Sequence, residues 1–424
     1  MNLLTGSRPV QTNSLGSWIL AIAYIAFCIG DMMLQVNEDL SSPIKIIAFG
    51  LLALALLYRP RFHRLIWLLL PLGGVMLVAT VRSFNKSAAV EELSRFAFPI
   101  AITVTIYAYR TSLRPVIVTF IAVVISNDLF QCYAYAAHVA GLPALITERI
   151  DSGLYLRAQG WIGFFSEFSF MNFCAFVLCR RYWITRKSMR ASWIFMLFAV
   201  LGLSFKLFPV VVAYFIIERK NSFRTVLVVV VGTVTTAAAM VTGLLDKFVD
   251  VASTKVLLYI VAGNSARAES YRVLFESFAG GNVFGEGLGS FGGPASVKYN
   301  SPLYSSYNFK WYGMDNVLKT TDTFYPHLFV EIGLVGACIW MVFVFLYGQL
   351  DRRDATWKFM VVAFAFDNIF SMSLLSASYV FSALLTMYLF SLSRCETSLT
   401  QLPTNAGRRG VAKEFLSELS ARTV

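Results

Sequence analysis

The 424-residue sequence predicts an all-α protein, a polytopic membrane helical bundle of about twelve transmembrane helices with one long loop, and three features lead to that expectation. Hydrophobic residues make up 57% of the chain and charged residues only 14%, too few to clothe the surface of a water-soluble domain of this size. Apolar runs such as LIWLLLPLGGVMLVATV and TVLVVVVGTVTTAAAMVTGLL approach or reach the roughly 20 residues that cross a ~30 Å hydrocarbon core. Basic residues, finally, collect in alternate breaks between those runs, the bias that orients spanning helices.

Taken in order, the apolar runs predict helices near 16–36, 43–58, 65–81, 96–109, 115–138, 161–178 and 191–205. Others follow near 207–218, 225–245, 326–348, 357–373 and 375–392. Helical spans are the form these runs must take, because backbone in lipid has to satisfy its own hydrogen bonds. The fourth, seventh and eighth are short, and the seventh and eighth could be a single bent span. The opening MNLLTGSRPVQTNSLGS lacks the charged n-region and small-residue cleavage site of a signal peptide, so the first helix is expected to be retained.

With the N-terminus inside, the cytoplasmic breaks gather Arg59, Arg61, Arg64, Arg110, Arg114, Arg180, Arg181, Arg186, Lys187, Arg190, Arg352 and Arg353. The short outer breaks hold few basic residues, among them Lys45, Arg82, Lys86, Arg95, Arg157 and Lys206. The expected organisation is helices one to nine in 1–245, a long outer loop in 246–325, helices ten to twelve in 326–393 and a cytoplasmic tail in 394–424. The net charge of +12 is then membrane orientation, and nucleic-acid binding is excluded because no soluble basic domain exists to carry it. Six cysteines lie in spans or at their cytoplasmic ends, so no disulfide framework is implied.

Residues able to do chemistry collect on the outer side. Arg157 precedes helix six, and Glu167 sits about two turns into it. Lys206 lies in the turn LSFKLFP, while the long loop carries Arg267 and Arg272 before Lys298, Lys310 and Lys319. Asp322 and His327 flank the start of helix ten, with Glu331 following. A Lys or Arg at a helix end ordinarily snorkels to the headgroups, and an interfacial His is as readily satisfied by a backbone carbonyl. Glu167 is different, since an ionisable group inside a span is costly unless paired and marks a functional or structural partner. Asp31, Asp128 and Asp367 are expected to pair within the bundle. The glycine-rich FGEGLGSFGG has no preceding strand and no closing Lys-Ser/Thr, so it is a tight turn, not a nucleotide loop. Three histidines in separate regions give no zinc site. Fixed cations interleaved with the aromatics of KYNSPLYSSYNFKWYG suit an anionic lipid-linked ligand bearing sugars.

Together these segments resemble the O-antigen polymerase and ligase family, the Wzy-type glycosyltransferases. ARAESYRVLFESFAGGNVFGEGLGSFG is similar to that family's outer-loop pattern through Arg267, Tyr271, Gly285, Gly287, Gly289 and Phe291. DTFYPHLFVEIGLVG resembles the segment ending E-x-G-x-x-G, here Glu331, Gly333 and Gly336. RAQGWIGFFSEFS resembles R-x-x-G…E-P-S through Arg157, Gly160, Glu167 and Ser169, with Phe168 where the Pro stands. Lys206 replaces the Arg of a Ser-Arg turn. The His-Asn that ligases often carry nine residues before the Glu is Asp322-Thr323 here.

The resemblance implies a GT-C-like fold in the bacterial inner membrane with both termini cytoplasmic. It implies a polymerase that joins undecaprenyl-diphosphate-linked oligosaccharide repeat units by inverting, metal-independent transfer, with no cofactor. Arg267, Asp322 and His327 are then catalytic. Arg157, Glu167, Lys206, Arg272, Tyr271, Gly287 and Gly289 bind substrate. A flippase and a chain-length regulator are the implied protein partners. Transfer of the glycan to lipid A–core is the alternative within the family. Transport of lipid-linked sugars is the alternative outside it, disfavoured by the lack of an internal repeat or a matched pair of broken helices.

Overall fold

The computed structural model describes residues 15–143, 145–146, 150–151, 155–181, 186–202, 204, 206–218, 265–311, 320–349 and 354–400. The expected helix at 225–245, the first part of the long loop, residues 312–319 and the tail beyond 400 lie outside the described residues. Within them the chain is helical, apart from a two-residue antiparallel ladder that pairs β1 (Ile150–Asp151) with β2 (Tyr155–Leu156).

The first half of the bundle comprises α1 (Leu15–Val36), α2 (Glu38–Tyr58), α3 (Leu69–Arg82, entered through a 3-10 turn at Arg64–Leu68), α4 (Lys86–Ala108) and α5 (Arg114–Ala140). Next come α6 (Phe165–Arg181), α7 (Arg186–Leu201) and α8 (Leu207–Glu218). The loop contributes α9 (Ala266–Ala279) and the short α10 (Pro294–Lys298) and α11 (Leu303–Ser306), and the chain continues through α12 (Phe324–Leu346), α13 (Ala355–Asp367) and α14 (Ala377–Thr400). Among the described residues, five segments are long and apolar enough to cross a membrane: Leu15–Val36, Asp39–Tyr58, Arg64–Arg82, Arg114–Ala140 and Phe324–Leu346. Their outward faces carry exposed Ile46, Ile47, Leu57, Leu77 and Leu129, as lipid-facing helices do.

Local sequence explains where these helices begin and end. The side chains of Asn37, Asn85, Ser265 and Asp354 accept backbone N–H bonds in the first turns of α2, α4, α9 and α13. Helix α5 stops at Gly141, whose φ of 67° suits glycine. The fourth helix begins at Lys86, ten residues before the expected start at 96, because the Asn85 cap nucleates a polar first half that hydropathy alone does not register. The seventh and eighth helices are separate, divided at the turn that carries Lys206.

Two ends of the bundle can be told apart. At one, Arg59 donates to Ser112 and Thr111, the Tyr347 hydroxyl accepts from the His63 N–H, and the Tyr388 hydroxyl donates to the Gly348 carbonyl. At the other, the start of α4, the α7–α8 turn, the α9–α11 loop and the starts of α12 and α14 converge. Every candidate site residue belongs to this second end.

Candidate functional site

Helix α12 is not one continuous helix. Gly333 takes φ 68° and ψ 178° inside it, a combination open essentially to glycine alone. The break frees backbone groups in a helix otherwise long enough to cross a membrane, where unpaired peptides are costly. The glycine-rich turn supplies the missing partners. The Val330 carbonyl accepts from the Glu286 N–H at 2.8 Å and from the Asn282 amide at 3.0 Å, and the Glu331 carbonyl accepts from the Gly287 N–H at 3.2 Å. In return the Val335 N–H donates to the Val283 carbonyl at 3.2 Å. The G-x-G-x-G and E-x-G-x-x-G patterns, separate in sequence, are therefore one structural unit.

This close approach accounts for the glycines. A Cβ on Gly285 would collide with the Glu331 carbonyl, and one on Gly333 with the Val283 carbonyl. Gly287 lies against the Ser83 backbone and Gly289 against Ala88, while the Leu288 N–H donates to the Ala79 carbonyl and the Ser83 hydroxyl to the Leu288 carbonyl. The amide of Gly287 and the Cα faces of Gly287 and Gly289 thus meet protein. The structure gives both glycines a packing role.

The break also positions a buried polar core. His327, in the first half of α12, has no solvent exposure. Its Nδ1 lies 2.6 Å from the Phe291 carbonyl and its Nε2 lies 3.0 Å from a Glu92 carboxylate oxygen. The ring stacks on Phe96, and the Phe96 carbonyl accepts from the indole of Trp340 at 3.1 Å. The other Glu92 oxygen receives Arg95 at 2.7 Å. Glu331 approaches His327 Nδ1 at 3.5 Å and accepts from the Phe291 N–H at 3.0 Å. Glu92, His327 and Glu331 form the one group of possible metal ligands found among the described residues, and all three are buried. Arg95 and the Phe291 peptide engage one oxygen each of the two carboxylates, and among the described residues the second Glu331 oxygen is buried without a hydrogen-bond partner. A proton acceptor for a bound substrate must be reachable, and His327 is not. Glu92 escaped the sequence reading, although the E-E-x-x-R spacing of Glu91, Glu92 and Arg95 is a helical ion-pair signature.

Asp322 is placed differently. It pairs with Arg267, the two side chains being 45% and 40% exposed. Asp322 holds a left-handed φ of 62°, uncommon for a residue with a Cβ and concentrated at functional positions. The segment is pinned on both sides: the Thr321 N–H donates to the Gly292 carbonyl, and the Thr323 and Ser270 hydroxyls lie 2.6 Å apart. Helix α9 presents Arg267 from its first turn. Farther along α9, Arg272 bridges Glu269 and Glu276 and donates to the Tyr307 carbonyl. Burial alone would raise the Glu269 carboxyl, but the Arg272 hydrogen bond and the Lys310 N–H outweigh it and hold the group below the usual carboxylate range. The Tyr271 hydroxyl donates to the Ile369 carbonyl, and burial pushes it up to about 12.

The remaining candidates sit nearby in ion pairs or in the core. Lys206 pairs with Asp367 at 3.0 Å, and Asp367 also accepts from Tyr379. Asp31 pairs with Lys45 at 2.6 Å, and the Ser376 hydroxyl links Asp31 to Glu167 at 3.0 and 2.8 Å. The expected pairing of Asp31, Asp128 and Asp367 inside the bundle is therefore present, Asp128 accepting from Asn172 at 2.9 Å. Arg157 is buried, its guanidinium 3.4 Å from the Phe165 ring centroid and its Nε donating to the Gly202 carbonyl. The following peptide is held by α5: Gln131 accepts from the Gln159 and Gly160 N–H groups, and Asn127 from Trp161. Arg267 and Asp322 are thus joined directly, and Glu167 is hydrogen-bonded to the Ser376 hydroxyl that also reaches Asp31. Compared with protein-family models, curated proteins and solved structures, the chain matches none of them.

Proposed function

We propose that the chain is a glycosyltransferase of the bacterial inner membrane that polymerises undecaprenyl-diphosphate-linked oligosaccharide repeat units on the periplasmic face. In this reading it has about twelve spans in a GT-C-like arrangement, with both termini cytoplasmic. The observation that carries the proposal is the accessible Arg267–Asp322 pair, with Asp322 on left-handed backbone, at the end of the bundle where the family-like motifs converge.

The two groups divide the chemistry. The donor diphosphate competes with Asp322 for the Arg267 guanidinium, whose planar fork matches phosphate oxygens. Released from that pair, the Asp322 carboxylate accepts the proton of the acceptor sugar hydroxyl. The hydroxyl oxygen attacks the anomeric carbon from the face opposite the diphosphate. The bond from that carbon to the diphosphate oxygen breaks, and undecaprenyl diphosphate departs with the electron pair while Arg267 offsets the added charge. The anomeric centre inverts. Because the diphosphate is already an activated leaving group, the step needs neither nucleotide nor metal.

One observation favours a second reading. A helix broken at a buried carboxylate, as α12 is at Gly333, is a feature of secondary transporters, and movement of lipid-linked sugars is the reaction it would serve.

Proteoliposomes supplied with lipid-linked repeat units and EDTA separate the two. The polymerase produces a ladder of longer lipid-linked glycans, abolished in Arg267→Ala and Asp322→Ala variants that remain monodisperse. Absence of a ladder together with transfer of the intact lipid between leaflets overturns the polymerase in favour of transport.

A further inference from the structure

The turn that repairs the α12 break also presents an apolar surface for which the interior of the protein has no use. Helix α9 buries one stripe: Ala266, Glu269, Ser270, Val273, Leu274 and Ser277. Phe275 lies off that stripe and is 66% exposed. Phe284, at the tip of the glycine-rich turn, is 51% exposed, and Val283 beside it is exposed as well. Solvent-exposed loops rarely leave two phenylalanines and a valine bare, and such a patch marks an interaction site.

Its neighbour on α12 identifies the partner. The Val283 carbonyl accepts the Val335 N–H, and Leu334 and Val335 are themselves exposed on a helix of membrane-spanning length and hydropathy. The apolar tip is therefore joined by this backbone bond to an exposed apolar stretch of a helix long and apolar enough to cross a membrane. It is also rigid. The Asn282 side chain reaches the Ser277 hydroxyl and the Val330 carbonyl while accepting from the Gly285 N–H.

We infer that the Val283–Phe284 tip and Phe275 form a wedge seated in the bilayer interface, its occupant being the acyl chains of the surrounding lipid. Aromatic side chains favour this depth, and an apolar face of this kind buries to roughly 5–10 Å below the headgroups. The wedge ties the loop to the membrane surface and fixes the depth at which α9 holds its first turn. The inference rests on the membrane reading alone and is independent of glycosyl transfer.

The test uses the full chain in phosphatidylcholine vesicles without lipid-linked substrate, with Cys132, Cys338 and Cys395 replaced by serine. A fluorophore is attached at Phe284→Cys, at Leu77→Cys on the exposed face of α3, or at Ser306→Cys on exposed α11. Acyl-brominated lipid is expected to quench the Phe284 and Leu77 sites to similar fractions and to leave the Ser306 site bright, with aqueous iodide giving the reverse order. Iodide quenching at Phe284 comparable to that at Ser306 overturns the wedge. So does protection from both quenchers, which would indicate that a second copy of the chain covers the patch.

Discussion

His327 and Glu92 stand 235 positions apart in the chain, yet a ring nitrogen of one lies 3.0 Å from a carboxylate oxygen of the other, both without solvent exposure. That contact locks the first half of α12 to the first half of α4, and it makes both residues structural before they are anything else.

Removing one partner of a buried hydrogen-bonded pair that includes a carboxylate leaves the other uncompensated. His327→Ala and Glu92→Ala are each expected to lower stability by about 3–5 kcal/mol, read as a lower melting temperature in detergent. The double variant is expected to cost much less than the sum, because the two changes delete one interaction. Additive losses would show that the residues are held independently.

Glycine substitutions should divide by backbone. Gly333→Ala and Gly285→Ala place a Cβ onto backbone atoms at positive φ, so each is expected to destabilise by at least about 1–3 kcal/mol. Gly74→Ala, in α3 with nothing near its Cβ, is expected to be neutral or to stabilise by up to about 1 kcal/mol. Equal melting temperatures for all three would contradict the broken helix.

Asp322 can be tested apart from folding, because its φ of 62° is tolerated by asparagine and free for glycine. Asp322→Asn and Asp322→Gly are expected to keep the melting temperature of the parent while polymer formation falls roughly 10²–10⁴-fold. A ladder formed at the parent rate by either variant removes Asp322 from the role of base.

The loop should respond to acid through Glu269. Its carboxyl is held below the ordinary range in the folded chain, so the unfolded chain binds that proton at higher pH. The stabilisation is complete above the unfolded value of about 4.3 and is lost as pH falls from there through the folded value. Protease cleavage of α9, followed across that window, is expected to rise in the parent and to stay flat in Glu269→Gln. Identical profiles would mean that the Arg272 contacts do not hold the helix.

Much of this was legible in the sequence, and the rest was hidden for identifiable reasons. Apolar runs located the long helices because length and hydropathy are local properties. The order of the motifs brought Arg267, Asp322 and His327 to one end of the bundle, but spacing could not reveal that one histidine lies buried while an aspartate stays open. Tertiary contacts decide that. Hydropathy also concealed Glu92, since a polar helical turn ahead of an apolar run looks like a loop unless the Asn85 cap is recognised. The two glycine patterns were visible as turns. That one repairs the break in the other depends on pairing across more than forty residues, which no local reading supplies.

Chain order gives the Gly333 break one more consequence, for biogenesis. Ala79, Ser83, Ala88 and the turn from Asn282 to Phe291 are all synthesised before α12 emerges. Residues 324–346 are long and apolar enough on average to enter the bilayer as one segment, and the template that bends them is already waiting. The bend is then a late step of assembly, completed when residues 283–287 reach the peptides on either side of Gly333. A defect in that turn would leave a straight helix, inserted in the membrane and still unable to close the site.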